Sequence, residues 1–141
     1  MTRVYVDMVG DLFHVGHLNI IKRAKDLGDT LIVGVHSDAT VESYKRKPIV
    51  SEHDRYEMIR SCRFVNEVIE EAPLLITEEY IEKHRIDLVV SGDKLSTKHH
   101  EMYAVPIRLG IMRLFEYTPG VSTSSIIEKI SEIISVIQRS E

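Results

Sequence analysis

Residues 4–28 read VYVDMVGDLFHVGHLNIIKRAKDLG, and this stretch decides the fold class. Val4-Tyr5-Val6 is apolar, aromatic and β-branched, the composition of a short strand. From about Gly16 to Leu27 the residues Leu18, Ile20, Ile21, Ala24 and Leu27 repeat at helical spacing, and Gly28 stops the helix. A strand therefore runs into a helix through a short turn rich in glycine and histidine.

The same alternation continues to the end. Leu31 to Val35 is a continuous β-branched run, as in a buried parallel strand. Ser51 caps a helix carrying Tyr56, Met58, Ile59 and Cys62. Phe64 to Ile69 reads as a third strand, and Thr77 caps a helix reaching about His84. Asp87 to Val90 is a fourth strand, ended by Ser91-Gly92-Asp93. A short helix spans Tyr103 to Leu109, and Met112 to Phe115 is a fifth strand. The last helix starts near Ser122 or Thr123, with Ile126, Ile127, Ile130, Ile133, Ile134 and Ile137 at helical spacing. That stripe reads first as core, with a second subunit as a further use. The pattern predicts an α/β fold, a single domain over 1–141, with a doubly wound parallel five-stranded sheet and helices on both faces. Ligands then bind at the carboxyl ends of the strands, where strand order reverses.

Composition narrows the function classes. The net charge of −4 argues against a nucleic-acid partner, which wants a basic surface. No apolar run reaches the ~18 residues of a membrane span, and the N-terminus has no signal-peptide pattern, so a cytoplasmic protein is expected. A single cysteine, Cys62, excludes an intrachain disulfide and fits a reducing compartment.

The chemistry concentrates after the strands. In Gly10-Asp11-Leu12-Phe13-His14-Val15-Gly16-His17, the two histidines three apart share one side of a first helical turn. Gly16 between them allows close approach of a ligand to the backbone. The helix start favours a phosphate, and two imidazole donors can stabilise charge growing there. Surface histidines or a metal pair are the alternatives, although zinc pairs on one helix more often stand four apart. The basic loop Tyr44-Lys45-Arg46-Lys47-Pro48 follows the second strand, either as a solvated face or as a neutraliser of a polyphosphate. Thr118-Pro119-Gly120-Val121-Ser122-Thr123-Ser124 opens the last helix with hydroxyls, a second anion cradle or an ordinary capped loop.

Together these residues resemble the cytidylyltransferase family of choline-phosphate, ethanolamine-phosphate and glycerol-3-phosphate enzymes. The family's HxGH motif appears as His14-Val15-Gly16-His17, and its lysine after the second strand matches Lys45. Its arginine-bearing helix and the strand after it resemble Glu52-His53-Asp54-Arg55-Tyr56 and Arg63-Phe64-Val65-Asn66-Glu67-Val68. Its closing motif resembles Tyr117-Thr118-Pro119-Gly120-Val121-Ser122-Thr123. Tyr117 stands where arginine is usual, Pro119 where glutamate is, and Val9 where a hydroxyl is common. The Tyr-Thr-x-Gly form is closer to the cytidylyltransferases of phosphonate biosynthesis. Leu74 and the loss of all but Tyr103 from an aromatic cage lower phosphocholine as an acceptor.

The resemblance implies a Rossmann-like fold, CTP with Mg2+, a homodimer, and transfer of CMP to a small phosphate or phosphonate, with 2-aminoethylphosphonate or phosphoethanolamine favoured. It assigns His14, His17 and Lys45 to catalysis. It assigns Val9, Gly10, Asp11, Gly16, Arg55, Gly92, Asp93, Thr118, Gly120, Val121, Ser122 and Thr123 to the nucleotide. Arg55, Ser122 and Thr123 would hold the triphosphate tail, with Asp11 and Asp93 also candidates for the acceptor. Lys94 and Tyr103 would bind the acceptor. No residues are expected as metal ligands. Adenylyl transfer from ATP, or nucleotide binding without turnover, are the alternatives. The basic loop from Lys94 to Lys98 with His99 and His100 points instead to a more anionic acceptor.

Overall fold

The computed structural model describes residues 1–92, 97–116 and 118–140, with the side chains of 97–99 left aside. Its strands are β1 (Arg3–Met8), β2 (Thr30–Val35), β3 (Glu67–Ile69), β4 (Leu88–Gly92) and β5 (Met112–Phe115). Its helices are α1 (Val15–Lys25), α2 (Asp38–Glu42), α3 (Glu52–Arg60), α4 (Glu78–His84), α5 (Thr97–Met102), α6 (Ala104–Arg108) and α7 (Thr123–Ser140). The strands form one sheet in the order β3-β2-β1-β4-β5. Every neighbouring pair is parallel. The order reverses between β1 and β4, as a doubly wound sheet requires.

The core follows from alternation along the strands. Val4, Val6, Leu31, Val33, Val35 and Val90 pack with Ile21 and Ala24 of α1 and with Tyr56 and Ile59 of α3. The residues between them, Tyr5, Ile32 and Val89, face the other way onto Ile76, Ile81, Ile86 and Tyr103. Period-two alternation thus builds two cores, one on each face of the sheet. Gly34 serves the second. A Cβ there would lie 2.1 Å from the Tyr5 hydroxyl, so its absence makes room for that phenol.

Two short helices, α2 and α5, fall in segments that sequence periodicity leaves as loops. Each is too short for an amphipathic stripe to show. The larger correction concerns α7. None of its residues is buried, and Ile130, Ile133, Ile134, Val136 and Ile137 are all about half exposed. Its stripe is an outward apolar face of this chain, not core: within the helix only Thr123, Ser125, Ile126 and Ile127 are even partly covered. Met58, expected on the apolar side of α3, is 56% exposed. No described helix is long and apolar enough to cross a membrane.

Candidate active site

A cavity of about 980 Å³ opens at the carboxyl ends of β1, β2 and β4, beside the strand-order reversal. Asp7, Met8 and Val9 enter it from β1 and the residue that follows, His36 from just after β2, and Ser91 and Gly92 from β4. The β5–α7 loop closes one side with Thr118, Gly120, Val121, Ser122 and Thr123. Tyr44, Lys45 and Arg46 close the other.

His14 and His17 build the start of α1 themselves. His14 is the N-cap, and its Nδ1 accepts the Gly16 amide at 3.0 Å. His17 Nδ1 in turn accepts the His14 amide at 3.1 Å. This is a reciprocal capping box made by two imidazoles. Each Nδ1 is an acceptor, so in the neutral ring each proton sits on Nε2. Burial favours the neutral form of both rings. It lowers His14, and with help from His14 and Lys45, against Asp11, it takes His17 to about 4. The ring centroids are 4.0 Å apart. Two Nε2–H donors are thereby presented to one cavity wall without any positive charge of their own. Gly16 is explained by packing as much as by ligand approach. A Cβ there would lie 2.7 Å from His14 Cε1.

Thr123 joins this wall. Its Oγ1 donates to the Asp11 carbonyl at 3.0 Å and lies 3.4 Å from His14 Nε2. The N-terminus of α7 is thus tied to the β1–α1 turn, and His14 is held by it. Ser122 is engaged within its own turn, through reciprocal bonds with Ser125. Thr118 Oγ1 accepts from Asn19 of α1 at 3.0 Å. Gly120 turns the loop at φ +83°, a conformation that β-carbons disfavour.

Asp11 is 4% exposed and acts as a clamp. Its carboxylate accepts from the amides of Ile49 and Val50, both at 2.9 Å, and from Arg46 at 3.3 Å. Burial works against its charge, but these donors outweigh it and hold the carboxyl below its ordinary value. The basic loop is therefore fastened over the site by Asp11. Lys45 is left at the cavity. Burial, then Arg46, lower its ammonium from the ordinary value, and Asp11 opposes them.

Arg55 corrects the expectation of a triphosphate ligand. It is 1% exposed and lies outside the cavity lining. Its guanidinium donates to the carbonyls of Val50, Val9 and His36 and pairs with Asp38 at 2.7 Å. It braces three site-forming segments from behind. Gly10, at φ +72°, is likewise buried behind the site, with Ile59 against it. Val9 contributes its carbonyl to Arg55. Asp93, Lys94 and Tyr117 lie outside the described residues.

Sequence reading named Tyr103 for the acceptor but missed the two residues beside it on the cavity floor, Asp7 and His36. Asp7 and His36 have side chains 5% and 6% exposed, with His36 Nε2 3.5 Å from Asp7 Oδ2. The Tyr103 hydroxyl donates to Asp7 Oδ1 at 2.5 Å. Burial and the charge of Asp7 raise Tyr103, and raise Tyr44 against the opposing Arg55. The signal was available. A charged or imidazole residue at the carboxyl end of a buried strand is where such sheets bind ligands.

A family model described as cytidylyltransferase-like matches residues 10–129. The chain belongs to the cytidylyltransferase-like family. It is 38% identical over 130 residues to an ethanolamine-phosphate cytidylyltransferase of Dictyostelium discoideum, covering 91% of this chain and 36% of that one. It is 37% identical over 141 residues to choline-phosphate cytidylyltransferase A of Homo sapiens, covering 97% of this chain and 38% of that one. The chain thus spans about a third of the length of the curated relatives it matches. The solved lipopolysaccharide core biosynthesis protein of Thermoplasma volcanium GSS1 superposes with a TM-score of 0.67, at 26% identity, over 84% of this chain and 97% of that one. Within this cytidylyltransferase-like domain, the resemblance carried by His14, Gly16, His17 and the β5–α7 loop falls on one wall of one cavity.

Proposed function

We propose that this chain transfers CMP from CTP to a small amine-bearing phosphate or phosphonate and releases pyrophosphate. The observation that carries the reading is the pair of main-chain-locked imidazoles, each with Nδ1 taken by a main-chain amide and its proton on Nε2, where His14 also reaches Thr123 Oγ1. An anionic oxygen of the acceptor attacks the α-phosphorus. A new P–O bond forms, the bond to the β-phosphate oxygen breaks, and its electron pair leaves with pyrophosphate. No general base is needed, because the attacking oxygen is already charged. His14 and His17 donate to the α-phosphate oxygens as charge grows there, and Lys45 neutralises the leaving side. Thr123 acts as a positioning residue for His14, and Arg55 and Asp11 hold the loops.

Among the described residues no cluster of three or more histidines, cysteines or carboxylates forms a metal cage. Asp7 and Asp11 both have partners on the protein. Magnesium in this reading accompanies the triphosphate as part of the substrate, as that ion commonly does.

The acceptor class rests on Asp7. A buried carboxylate on a cavity floor, bonded by the Tyr103 hydroxyl and with Tyr44 in the same lining, suits an ammonium. This favours 2-aminoethylphosphonate or phosphoethanolamine. The test is a pyrophosphate-release screen crossing CTP and ATP with those two acceptors, phosphocholine and glycerol 3-phosphate. CTP with an amine acceptor is expected to lead. Turnover with ATP alone, or a clear preference for glycerol 3-phosphate, overturns the reading.

The partner proposed for α7 is a second copy of this chain, giving a homodimer. Ile126, Ile130, Ile133 and Ile137 alternate spacings of four and three, the seam of a helix-to-helix contact. The polar face mixes Glu128 and Glu132 with Lys129 and Arg139, which is not the basic face that an anionic membrane attracts. A cytoplasmic setting completes the proposal.

A further inference from the structure

Three side chains of the described cavity lining carry a guanidinium or an ammonium: Arg23, Lys45 and Arg46. Three others carry carboxylates, Asp7, Asp11 and Glu116. The wall therefore holds no surplus of positive charge, and a polyanion settles best where a cation is left unspent. Arg46 is spent on Asp11 and on the Lys47 carbonyl, each at 3.3 Å. Arg55 is turned behind the site, onto carbonyls and Asp38. Lys45 and Arg23 remain.

Arg23 owes its place to helical spacing. It stands four residues after Asn19, so both lie on one side of α1, and that side meets the β5–α7 loop. Asn19 donates to Thr118 Oγ1 at 3.0 Å, and Arg23 Nη1 donates to the Glu116 carbonyl at 3.4 Å. The Arg23 guanidinium also lies over the Phe115 ring, 4.3 Å from its centroid. An exposed side chain is thus held at one place on the cavity wall. Among the described residues it pairs with no carboxylate. Its one hydrogen bond is long, so most of its N–H donors are open to a ligand. The carbonyl it reaches belongs to the peptide leading into residue 117, where tyrosine stands in place of the usual arginine.

The substrate's charge decides what such a fork takes. Cytosine and ribose are neutral, whereas a triphosphate stays anionic even with one magnesium ion on it. Phosphate oxygens fit a guanidinium in pairs. We propose that Arg23 binds the β- and γ-phosphates of the nucleoside triphosphate, gripping them from the β5–α7 side while Lys45 faces them from the other. The positive charge that the closing motif lacks at residue 117 is supplied from α1 instead. The assignment rests on the cytidylyl-transfer reading and adds a residue to it. Pyrophosphate keeps both phosphates, so Arg23 holds the product as well as the substrate. CMP has neither and is indifferent to Arg23.

That contrast is the test. CTP with Mg2+ and CMP are titrated calorimetrically, without acceptor, into wild type, Arg23→Met and Arg23→Lys. Methionine keeps a flexible apolar stem against Phe115 and removes the charge. Arg23→Met is expected to weaken CTP by about 10-fold, the worth of one hydrogen bond to a charged group, and to leave CMP unchanged. Arg23→Lys should fall between wild type and Arg23→Met, and it carries the test should Arg23→Met melt early. In turnover, KM for CTP and the inhibition constant of pyrophosphate should rise together, with KM for the acceptor steady. A residue that only packed on Phe115 would lower Tm and leave CTP binding alone. Unchanged CTP binding, or an equal loss of CTP and CMP, overturns the proposal. If wild type binds ATP and not CTP, the cytidylyl reading falls, and ATP against AMP tests Arg23 in the same way. If it binds neither triphosphate, both fall.

Discussion

At the residue scale, the backbone occupies Nδ1 of both histidines and leaves the proton of the neutral ring on Nε2. Long-range proton–nitrogen spectra at pH 7 should show both rings as Nε2–H tautomers. A cationic pattern on either ring would contradict the mechanism. His14→Ala and His17→Ala should each cut kcat by roughly 10²-fold, the usual loss for one transition-state donor. His17 also links stability to pH. Its folded value of about 4 lies below the ordinary 6.5, so folding favours the neutral ring. That contribution is full above about 6.5 and fades as pH falls toward 4. The Tm gap between wild type and His17→Asn should therefore shrink across this window, and a constant gap would show that the ring is not neutralised by the fold. Gly16→Ala should lower kcat by pushing its Cβ, 2.7 Å from Cε1, into the His14 ring.

At the element scale, the site is an assembly of strand ends and loops held by two buried polar hubs. Asp11 fastens the loop bearing Lys45, and Arg55 joins the ends of β1, β2 and the start of α3. Removing Arg55 leaves Asp38 and three carbonyls without their donor. Arg55→Ala should therefore destabilise the fold by about 3–5 kcal/mol, the range for breaking a buried pair. Thermal or urea unfolding reads this directly. A variant with wild-type stability but a raised KM for CTP would return Arg55 to the triphosphate. Asp11→Asn should loosen the loop and raise KM for CTP, with less effect on the core.

At the scale of the whole molecule, α7 leaves five large apolar side chains about half exposed on one projecting helix. A second copy is the occupant proposed for that face. Ile130→Asp with Ile134→Asp should convert a dimer to a monomer in sedimentation, without loss of the sheet. A wild-type chain that sediments as a monomer at tens of micromolar would remove the argument. Ligand linkage also reads out globally. CTP should raise Tm more than ATP does, because a ligand of the native state stabilises it by mass action.

The sequence alone determined the alternation of five strands and their main helices, because burial on both faces imposes apolar runs and periodicities that survive without coordinates. It also determined the pair His14 and His17 and the loop from Thr118 to Thr123, because both lie at strand-to-helix junctions where this fold binds ligands. Tertiary structure decided what the remaining polar residues face. Arg55 reads as a free cation in the chain, yet the carbonyls that capture it come from Val9, His36 and Val50, and Val9 and His36 lie far from it in sequence. Asp7, His36 and Tyr103 converge only when β1, β2 and the segment before α6 meet at one edge. The isoleucines of α7 look like core by periodicity, but periodicity reports that a face is apolar and not what covers it. Local pattern is written in neighbouring residues, whereas a side chain's partner depends on which distant strands the sheet brings alongside.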